Sequence, residues 1–425
     1  MPEGTVHVVG AGLAGLSAAV RLTERGRRVV IHEANPFAGG RCRSFHDPRL
    51  DRVIDNGNHL LLSGNRAALD YSRVIGARNR LVMGPAHFPF VDLESGERWA
   101  VQMTNGPIPW WIAMPSRRIP GTRIRDYLGG LRLARAGRDQ TVADILSERS
   151  AIWTRFWEPL TLAAINTTPD RAAATLLWPV LRETFGRGAA HSRPILAPDG
   201  LGHALVDPAV DWLRGKGAEI RFGRQLRHVE IETGRAGVLR FTDGDEALGP
   251  ADRVVLALPP TRLRGVLDGI DPPEDACTIV NAFFRLDRPP PPETPPILGI
   301  LNSLSHWVFH RGDVLSVTVS AADALEADGR DGEDLIAEIW REIAPALGLP
   351  PQSTYLAARI NKERRATFDQ SPQGVAKRLQ PGMVMDNLYL AGDATDTGLP
   401  ATIEGAIRSG ETVARIIHGG AQGMG

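Results

Sequence analysis

Six residues near the start of the chain have the types and spacing that bind a phosphate group. They form a G-x-G-x-x-G run of Gly10, Ala11, Gly12, Leu13, Ala14 and Gly15. The first glycine permits a tight turn, the second lets a pyrophosphate approach the backbone, and the third lets a helix pack closely on a strand. Glu33 follows at the spacing where an acid accepts hydrogen bonds from ribose hydroxyls. Together they predict dinucleotide binding.

A strand, a helix and a second strand must position these residues. Residues 5–9 are β-branched, as in a buried parallel strand, and residues 29–32 form a second such run that ends at Glu33. The helix that begins at Leu13 would offer free N–H groups and a partial positive charge to the phosphates. A glycine-rich turn without a ligand is the alternative, but the acid favours a nucleotide. Its charge disfavours NADP, whose extra phosphate it would repel.

Composition limits the class of protein. The chain has 425 residues, enough for two domains with sizeable cores. Lys+Arg and Asp+Glu both number 49, so nothing in the overall charge points to nucleic acid. Two cysteines, Cys42 and Cys277, are too few for a disulfide framework and fit a reducing, cytoplasmic location. Cys42 lies either near the cofactor or simply in the core. No run of about 18 apolar residues predicts a transmembrane helix.

The stretch after the second strand resembles a motif of one large flavoprotein family. Residues 33–41 read E-A-N-P-F-A-G-G-R, similar to the E-x-x-x-x-x-G-G-R stretch of the two-domain flavoproteins that include amine oxidases and phytoene desaturases. The resemblance implies FAD, with the glycines beneath it and Arg41 at its phosphate-ribose region. Neither cysteine lies near the C-terminus, where covalent members carry theirs, so non-covalent FAD is expected. The implied fold is α/β, with a Rossmann-type FAD domain and a mixed-sheet plus helical substrate domain.

The same resemblance implies cofactor contacts along the whole chain. Residues 55–59 would pass the isoalloxazine ring, and the backbone near Val229 would contact the adenine. Gly392 and Asp393, at the end of a predicted strand, would hold the ribityl-pyrophosphate end, and the N-terminus of a following helix would stabilise the anionic reduced flavin. The implied cofactor-binding residues are Gly10, Ala11, Gly12, Leu13, Ala14, Gly15, Glu33, Ala34, Gly40, Arg41, Gly57, Asn58, His59, Val229, Gly392, Asp393, Thr402 and Ile403; no metal site is predicted.

These segments predict two discontinuous domains. Residues 1–83, 190–265 and 362–425 are assigned to the FAD domain, and residues 84–189 and 266–361 to the substrate domain. No second G-x-G-x-x-G run accompanies the later strands, so we expect no separate NADPH domain.

Three shorter stretches resemble a narrower group, the hydroxysqualene dehydroxylases of bacterial hopanoid synthesis. They are residues 156–167 (F-W-E-P-L-T-L-A-A-I-N-T), residues 366–368 (A-T-F) and residues 395–402 (T-D-T-G-L-P-A-T). The resemblance implies a long apolar terpenoid substrate and reductive chemistry: hydroxysqualene loses its allylic hydroxyl as water and receives a hydride from reduced FAD, which gives squalene. It also implies prenyl synthases of the same pathway as partners. Two alternatives stay open, a carotenoid- or phytoene-type desaturase and a non-catalytic flavin-binding partner of a prenyl synthase.

Loss of the hydroxyl as water requires an acid, and an apolar pocket must keep water away from the cation. Asp396, His59 and Glu404 are the polar groups that we expect near the flavin ring. Each also has a structural interpretation. Asp396 caps a turn, Glu404 stabilises the start of a helix, and His59 is a hydrogen-bonding residue before an apolar run.

Two tryptophan-rich segments have two interpretations each. Residues 109–115 (P-W-W-I-A-M-P) precede a cluster of arginines: Arg117, Arg118, Arg123, Arg125, Arg132 and Arg135. Aromatic side chains beside cations suit an anionic membrane surface, here the inner face, but the tryptophans could instead pack inside the domain. Residues 152–185 are apolar and aromatic, which is typical either of a domain core or of the wall of a long apolar tunnel.

Overall fold

A computed structural model describes residues 4–146 and 150–420 of the chain. The α-helices are α1 Leu13–Glu24, α2 Arg66–Val74, α3 Ile124–Tyr127, α4 Val142–Ile145, α5 Glu158–Ile165, α6 Ala174–Glu183, α7 Ala189–Ser192, α8 Asp207–Gly215, α9 Pro260–Arg264, α10 Asp323–Ala327, α11 Gly332–Ala346, α12 Pro372–Ala376 and α13 Ile403–Gly420. Short 3₁₀ or π turns connect several of them, among them Trp110–Ala113, Leu128–Arg135 and Trp153–Trp157.

The strands follow the same chain order. They are β1 Val6–Val9, β2 Val29–His32, β3 Ser44–Asp47, β4 Arg52–Asp55, β5 Leu61–Leu62, β6 Val82–Met83, β7 His87–Asp92, β8 Arg98–Gln102, β9 Pro194–Leu196, β10 Glu219–Arg221, β11 Leu226–Glu232, β12 Arg235–Phe241, β13 Gly244–Ala247, β14 Arg253–Leu256, β15 Asp275–Ala276, β16 Ile279–Arg285, β17 Ile297–Leu301, β18 Trp307–Arg311, β19 Val314–Val319, β20 Ala357–Glu363, β21 Thr367–Phe368, β22 Gly382–Met385 and β23 Leu388–Leu390.

A six-stranded sheet carries the nucleotide motif. Its strand order is β10-β2-β1-β14-β23-β22, and only the pairing of β22 with β23 is antiparallel. Val8 packs against helices α1 and α13 on one face, and Val9 packs against β11 and β12 on the other. Burial on both faces explains why the strand reads as a continuous apolar run. The predicted strand–helix–strand unit is confirmed as β1, α1 and β2.

A seven-stranded mixed sheet forms the other half of the molecule, in the order β20-β16-β19-β18-β17-β7-β8. Alternate residues of its strands face opposite sides, as the pleat requires. On β16, Val280 and Ala282 pack against helix α11, whereas Asn281 faces the opposite side and lines a cavity. This sheet is the floor of the candidate site.

Helices α3 to α7 cover the cavity side of that sheet. Their core contains Trp111, Trp153 and Trp157, all buried, and Gly130 lies against the Trp157 ring, where an added Cβ would be 2.5 Å from the ring carbon Cη2. Within the described ranges, no helix is both long and apolar enough to cross a bilayer.

The strands of the two sheets divide between the two predicted sets of segments. Every strand of the six-stranded sheet lies within residues 1–83, 190–265 or 362–425, and the seven-stranded sheet lies within 84–189 and 266–361 except for Lys362 and Glu363 at the end of β20. The domain boundaries themselves stay a prediction.

Candidate functional site

The glycine turn has the shape that a pyrophosphate needs. Gly10 has φ +104°, and a Cβ on it would lie 2.5 Å from the carbonyl oxygen of Ala257. A Cβ on Gly15 would lie 1.9 Å from the Gly10 carbonyl oxygen, so only glycine allows α1 to approach β1 this closely. A Cβ on Gly12 would meet no heavy atom within 4 Å, and no side chain caps the N-terminus of α1. Open space beside free helical N–H groups fits an anionic phosphate.

Glu33 stands at the end of β2 beside this turn. Its Oε2 atom accepts a hydrogen bond of 2.8 Å from the Ala11 N–H, and its Oε1 atom accepts one of 2.8 Å from the Asn35 N–H. The side chain is buried. The carboxylate therefore holds the glycine turn in place at the position where a ribose would bind.

Residues from the two ends of the chain meet at the flavin motifs. Arg41 Nη2 lies 2.5 Å from Asp393 Oδ2, and Arg41 Nη1 donates a 2.8 Å hydrogen bond to the Ala366 carbonyl oxygen. Gly40 has φ +54°, and a Cβ on it would lie 3.5 Å from Gly12 Cα. The G-G-R stretch therefore lies directly beside the phosphate turn, as a cofactor that spans both would require.

Helix α13 begins at the cavity, as predicted. Thr402 Oγ1 accepts a 3.1 Å hydrogen bond from the Gly405 N–H, which caps the first turn. Thr402 and Ile403 both line the cavity. The positive end of the helix dipole therefore faces the cavity.

The backbone of Val229 is already engaged. Val229 lies in β11, and its N–H donates a 2.8 Å hydrogen bond to the Val266 carbonyl oxygen. A contact with adenine at this position would use other atoms of the backbone, and it stays a prediction.

The cavity between the seven-stranded sheet, helices α5 and α6, and residues 56–62 is largely apolar. Its volume is about 280 Å³, at the lower end of the range of about 300–1000 Å³ that is typical of small-molecule sites. Its apolar wall includes Phe88, Phe90, Phe156, Leu160, Phe185 and Trp307. Residues 152–185 contribute both to the cavity wall and to the domain core. Phe156 and Leu160 line the cavity, and Trp153 and Trp157 belong to the core.

The structure separates the three predicted acids. His59 lines the cavity, and burial lowers the pKa of its ring although the Asp55 carboxylate acts in the opposite direction. Asp396 is not among the lining residues. Its Oδ1 atom accepts a 2.9 Å hydrogen bond from the Gly398 N–H and lies 3.6 Å from Arg378 Nη1. Asp396 therefore caps a turn, which is its structural interpretation.

Glu404 lines the cavity but its carboxylate is fully occupied. The side chain is only 2% exposed. It accepts hydrogen bonds of 3.0 and 2.9 Å from the N–H groups of Ala67 and Ala68 in the first turn of α2, and one of 2.9 Å from Arg408 Nε. These contacts support the structural role, because a proton on this carboxyl would compete with all of them.

Cys42 is part of the core around α1, and burial raises the pKa of its thiol. Both cysteines are free thiols. The position of Cys42 favours the interpretation as a small buried residue.

Sequence reasoning missed a group of polar residues on the cavity floor. Asn281 and Glu363 project from neighbouring strands, β16 and β20, and Thr318 projects from β19. A signal was present, since Asn281 is the polar member of an otherwise apolar run, but its meaning depends on which face of the strand meets the cavity.

Comparison with known proteins identifies the family to which this chain belongs. Residues 13–418 match the model of a family described as flavin containing amine oxidoreductase. The chain belongs to the flavin containing amine oxidoreductases. Like other members of this family, it is an FAD-dependent oxidoreductase, and the residues around Gly12, Glu33 and Arg41 fit that cofactor.

Within the flavin containing amine oxidoreductases, the chain is similar to two proteins named hydroxysqualene dehydroxylase. It is 44% identical to the one from Rhodopseudomonas palustris, over 97% of this chain and 98% of that protein. It is 43% identical to the one from Sinorhizobium fredii, with the same coverage of 97% and 98%. Among solved structures, cyclohexylamine oxidase from Brevibacterium oxydans matches 99% of this chain and 100% of its own with a TM-score of 0.75 at 13% identity, which shows a shared fold.

Proposed function

We propose that this protein reductively dehydroxylates hydroxysqualene to squalene. The observation that carries the proposal is the apolar cavity whose lining combines Arg41, residues 57–59 and the start of α13 with aromatic side chains such as Phe156. The similarity to proteins named hydroxysqualene dehydroxylase over nearly the full chain supports the same substrate.

The residues of the chain bind the hydrocarbon, exclude water and manage one proton. An acid protonates the allylic hydroxyl, the carbon–oxygen bond breaks, and water leaves behind an allylic cation. Reduced FAD, when bound, supplies the hydride that completes squalene. The apolar wall keeps other nucleophiles away from the cation, so that hydrolysis back to an alcohol is suppressed.

Of the three predicted acids, His59 and Glu404 line the cavity. The Glu404 carboxylate is held by hydrogen bonds from α2, whereas the His59 ring does not take part in those contacts. Its lowered pKa makes the protonated ring a stronger acid and also a rarer species at neutral pH. Because the ring is mostly uncharged at neutral pH, His59 is a poor proton donor there.

We also propose that the protein contacts the inner face of an anionic membrane. Six large side chains, here called the apolar patch, are exposed within one short stretch: Ile108, Trp110, Met114, Ile124, Leu128 and Leu131. Trp110 is 59% exposed and Leu131 is 61% exposed, whereas Trp111 is buried and packs edge-on against Tyr127. Trp111 therefore packs inside the domain, whereas the exposure of Trp110 supports contact with a membrane surface.

The charge around the apolar patch has one sign. Residues 104–138 contain seven arginines and one acidic residue, Asp126, although the whole chain has a formal net charge of zero. Aromatic and aliphatic side chains with a basic surround match the interface of an anionic bilayer. The hydrophobic substrate would be taken from that bilayer or from a prenyl synthase bound there.

The direct test is an anaerobic single turnover. The holoenzyme is reduced, hydroxysqualene is added, the visible flavin band is followed, and the lipid extract is analysed for squalene. Flavin reoxidation that matches squalene formation one to one is expected. A flavin that stays reduced while the alcohol is recovered intact would contradict the proposal and favour a desaturase, which the oxidised enzyme would reveal with phytoene-like polyenes.

A further inference from the structure

Several polar groups of the cavity lie together where residues 56–59 contact the seven-stranded sheet. Asn58 Nδ2 donates a 2.9 Å hydrogen bond to Thr318 Oγ1, and Asn361 Nδ2 donates one of 2.6 Å to the Asn56 carbonyl oxygen. Another part of the lining, around Phe156 and Leu160, is apolar. A long hydrocarbon with a single hydroxyl therefore finds polar partners for that hydroxyl near residues 56–59 and apolar contacts elsewhere in the cavity.

Three carboxylic acids line the part of the cavity formed by described residues, and two of them pair with the same arginine. Glu404 accepts a hydrogen bond from Arg408 Nε at 2.9 Å, and Glu183 Oε1 accepts one from Arg408 Nη1 at 3.2 Å. Although burial acts in the opposite direction, the Arg408 guanidinium holds the pKa of the Glu183 carboxyl below its usual range. The Glu404 carboxylate is engaged by Ala67, Ala68 and Arg408, so neither group is suited to deliver a proton.

Glu363 is the third acid, and its surroundings differ. Its Oε2 atom accepts a 3.0 Å hydrogen bond from Asn56 Nδ2, a neutral amide, and among the described residues it forms no ion pair within 4.0 Å. It lies at the end of β20, two residues beyond Asn361, on the same inward face of the sheet. A carboxyl with a neutral partner keeps an oxygen that can carry and release a proton.

Asn281 adds an independent indication that a ligand binds here. The residue is 1% exposed, and its Oδ1 atom accepts a 3.3 Å hydrogen bond from Thr318 Oγ1, but its Nδ2 atom has no hydrogen-bond partner among the described residues. Leaving a buried amide N–H group without a hydrogen bond costs free energy. We therefore expect a small movement of the Asn281 side chain to let its amide donate a hydrogen bond to a ligand in the cavity. Asn281 and Glu363 occupy diagonal positions on paired strands, where residues are about 7–8 Å apart. Side chains that extend from both positions can therefore contact one hydroxyl group placed between them.

We propose that Glu363 is the catalytic acid of this site and that Asn281 positions the substrate hydroxyl beside it. The inference rests on the proposed dehydroxylation. The proton of the Glu363 carboxyl moves to the hydroxyl oxygen, the allylic carbon–oxygen bond breaks heterolytically, and both bonding electrons leave with the water. The cation accepts the hydride of the proposed reaction, and Glu363 regains its proton from solvent between turnovers.

The test compares Glu363→Gln with the wild-type holoenzyme. Glutamine keeps the size of the side chain and an acceptor for Asn56 but has no acidic proton. We expect kcat for hydroxysqualene to fall at least about 100-fold, within the usual contribution of a general acid, with unchanged flavin content and unchanged binding of hydroxysqualene to the oxidised holoenzyme. The acetate ester of hydroxysqualene, whose leaving group needs no strong acid, should be turned over by the variant and the wild type at similar rates.

Two further variants complete the design. Glu333→Gln removes a surface carboxylate that pairs with Arg49, and its activity should equal that of the wild type. Asn281→Leu should weaken binding of hydroxysqualene about tenfold without weakening binding of squalene, because only the alcohol uses the amide.

Each outcome decides a different question. If the wild type forms squalene and Glu363→Gln retains kcat, the assignment of Glu363 is overturned and the proposed function stands. If kcat falls equally for the alcohol and its ester, Glu363 has a structural role and the inference also fails. If the wild type forms no squalene from the alcohol, the proposed function fails and the inference fails with it.

Discussion

Arg41 and Asp393 are 352 residues apart in the chain, and their side chains lie 2.5 Å apart. Asp393 is buried and Arg41 is part-exposed, so the ion pair stands at the edge of the cavity with its cationic partner toward it. Each residue belongs to a separate flavin motif. The contact brings the N-terminal and C-terminal motifs of the chain together, as a shared cofactor site would require.

The first prediction concerns this pair. Arg41→Met should purify with substantially less FAD, because it removes both a phosphate-ribose contact and the partner of a buried carboxylate. The ratio of visible flavin absorbance to protein absorbance measures the loss. Arg43→Met is the matched control, since Arg43 stands on the same turn but stacks on Phe37 and Phe45. Full flavin occupancy in Arg41→Met would contradict the assignment of this arginine to the cofactor.

The second prediction separates the two roles of Glu404. Glu404→Gln should lower the free energy of unfolding by about 2 kcal/mol, because the buried carboxylate caps α2 and pairs with Arg408. Chemical denaturation of the variant measures this. Glu411→Gln on the same helix is the control, and loss of its more exposed contact with Arg21 should cost about 1 kcal/mol or less. Unchanged stability combined with abolished turnover at full flavin content would instead make Glu404 catalytic.

The third prediction concerns the apolar patch. Replacement of Trp110, Leu128 and Leu131 by serine should reduce co-sedimentation with phosphatidylglycerol-containing vesicles more than tenfold, since each buried apolar side chain contributes about 1.5–3 kcal/mol. Binding of the wild type should weaken as salt is added, because the arginines are screened. Leu356→Ser provides the control, as Leu356 is 64% exposed but lies outside the apolar patch. Equal vesicle binding of the triple variant and the control would exclude the apolar patch as the contact surface.

The fourth prediction is a pH dependence of stability. His7 on β1 and His32 on β2 stack against each other in the six-stranded sheet, with His7 Nδ1 and His32 Nε2 3.2 Å apart, and Arg224 Nη1 lies 3.3 Å from His32 Nδ1. Burial lowers the pKa of His7 and lowers that of His32 to about 3. Below the ordinary pKa of 6.5, the unfolded chain therefore binds protons that the folded chain does not. Stability should fall as the pH decreases from about 6.5 toward about 3, by up to about 1.4 kcal/mol per pH unit for one ring.

The measurement for this fourth prediction is urea denaturation at a series of pH values. His32→Gln, which keeps a donor toward His7 but does not titrate, should flatten the profile. His46→Gln is the control because His46 is largely exposed. A steep profile that persists in His32→Gln would show that other groups, such as the carboxylates, control acid unfolding.

The sequence by itself determined the local elements and the cofactor. The glycines at 10, 12 and 15, the acid at 33 and the strands around them obey short-range rules of turn geometry and burial, so their structure and the binding of a dinucleotide could be predicted residue by residue. The resemblance of residues 33–41 to a flavoprotein motif then identified the dinucleotide as FAD. The helix that starts at Ile403 was predictable for the same reason.

Only the tertiary structure decided which polar groups share the cavity. Asp396 and Glu404 both follow shortly after Gly392 and Asp393 in the sequence, yet one caps a turn and the other caps α2 from 336 residues away. Glu363 and Asn281 lie on the same face of the sheet because β20 pairs with β16 in one register, and a shift of β20 by one residue would turn the Glu363 side chain to the face opposite Asn281. Long-range pairing of this kind has no local signature, which is why the proposed proton donor could not be read from the chain alone.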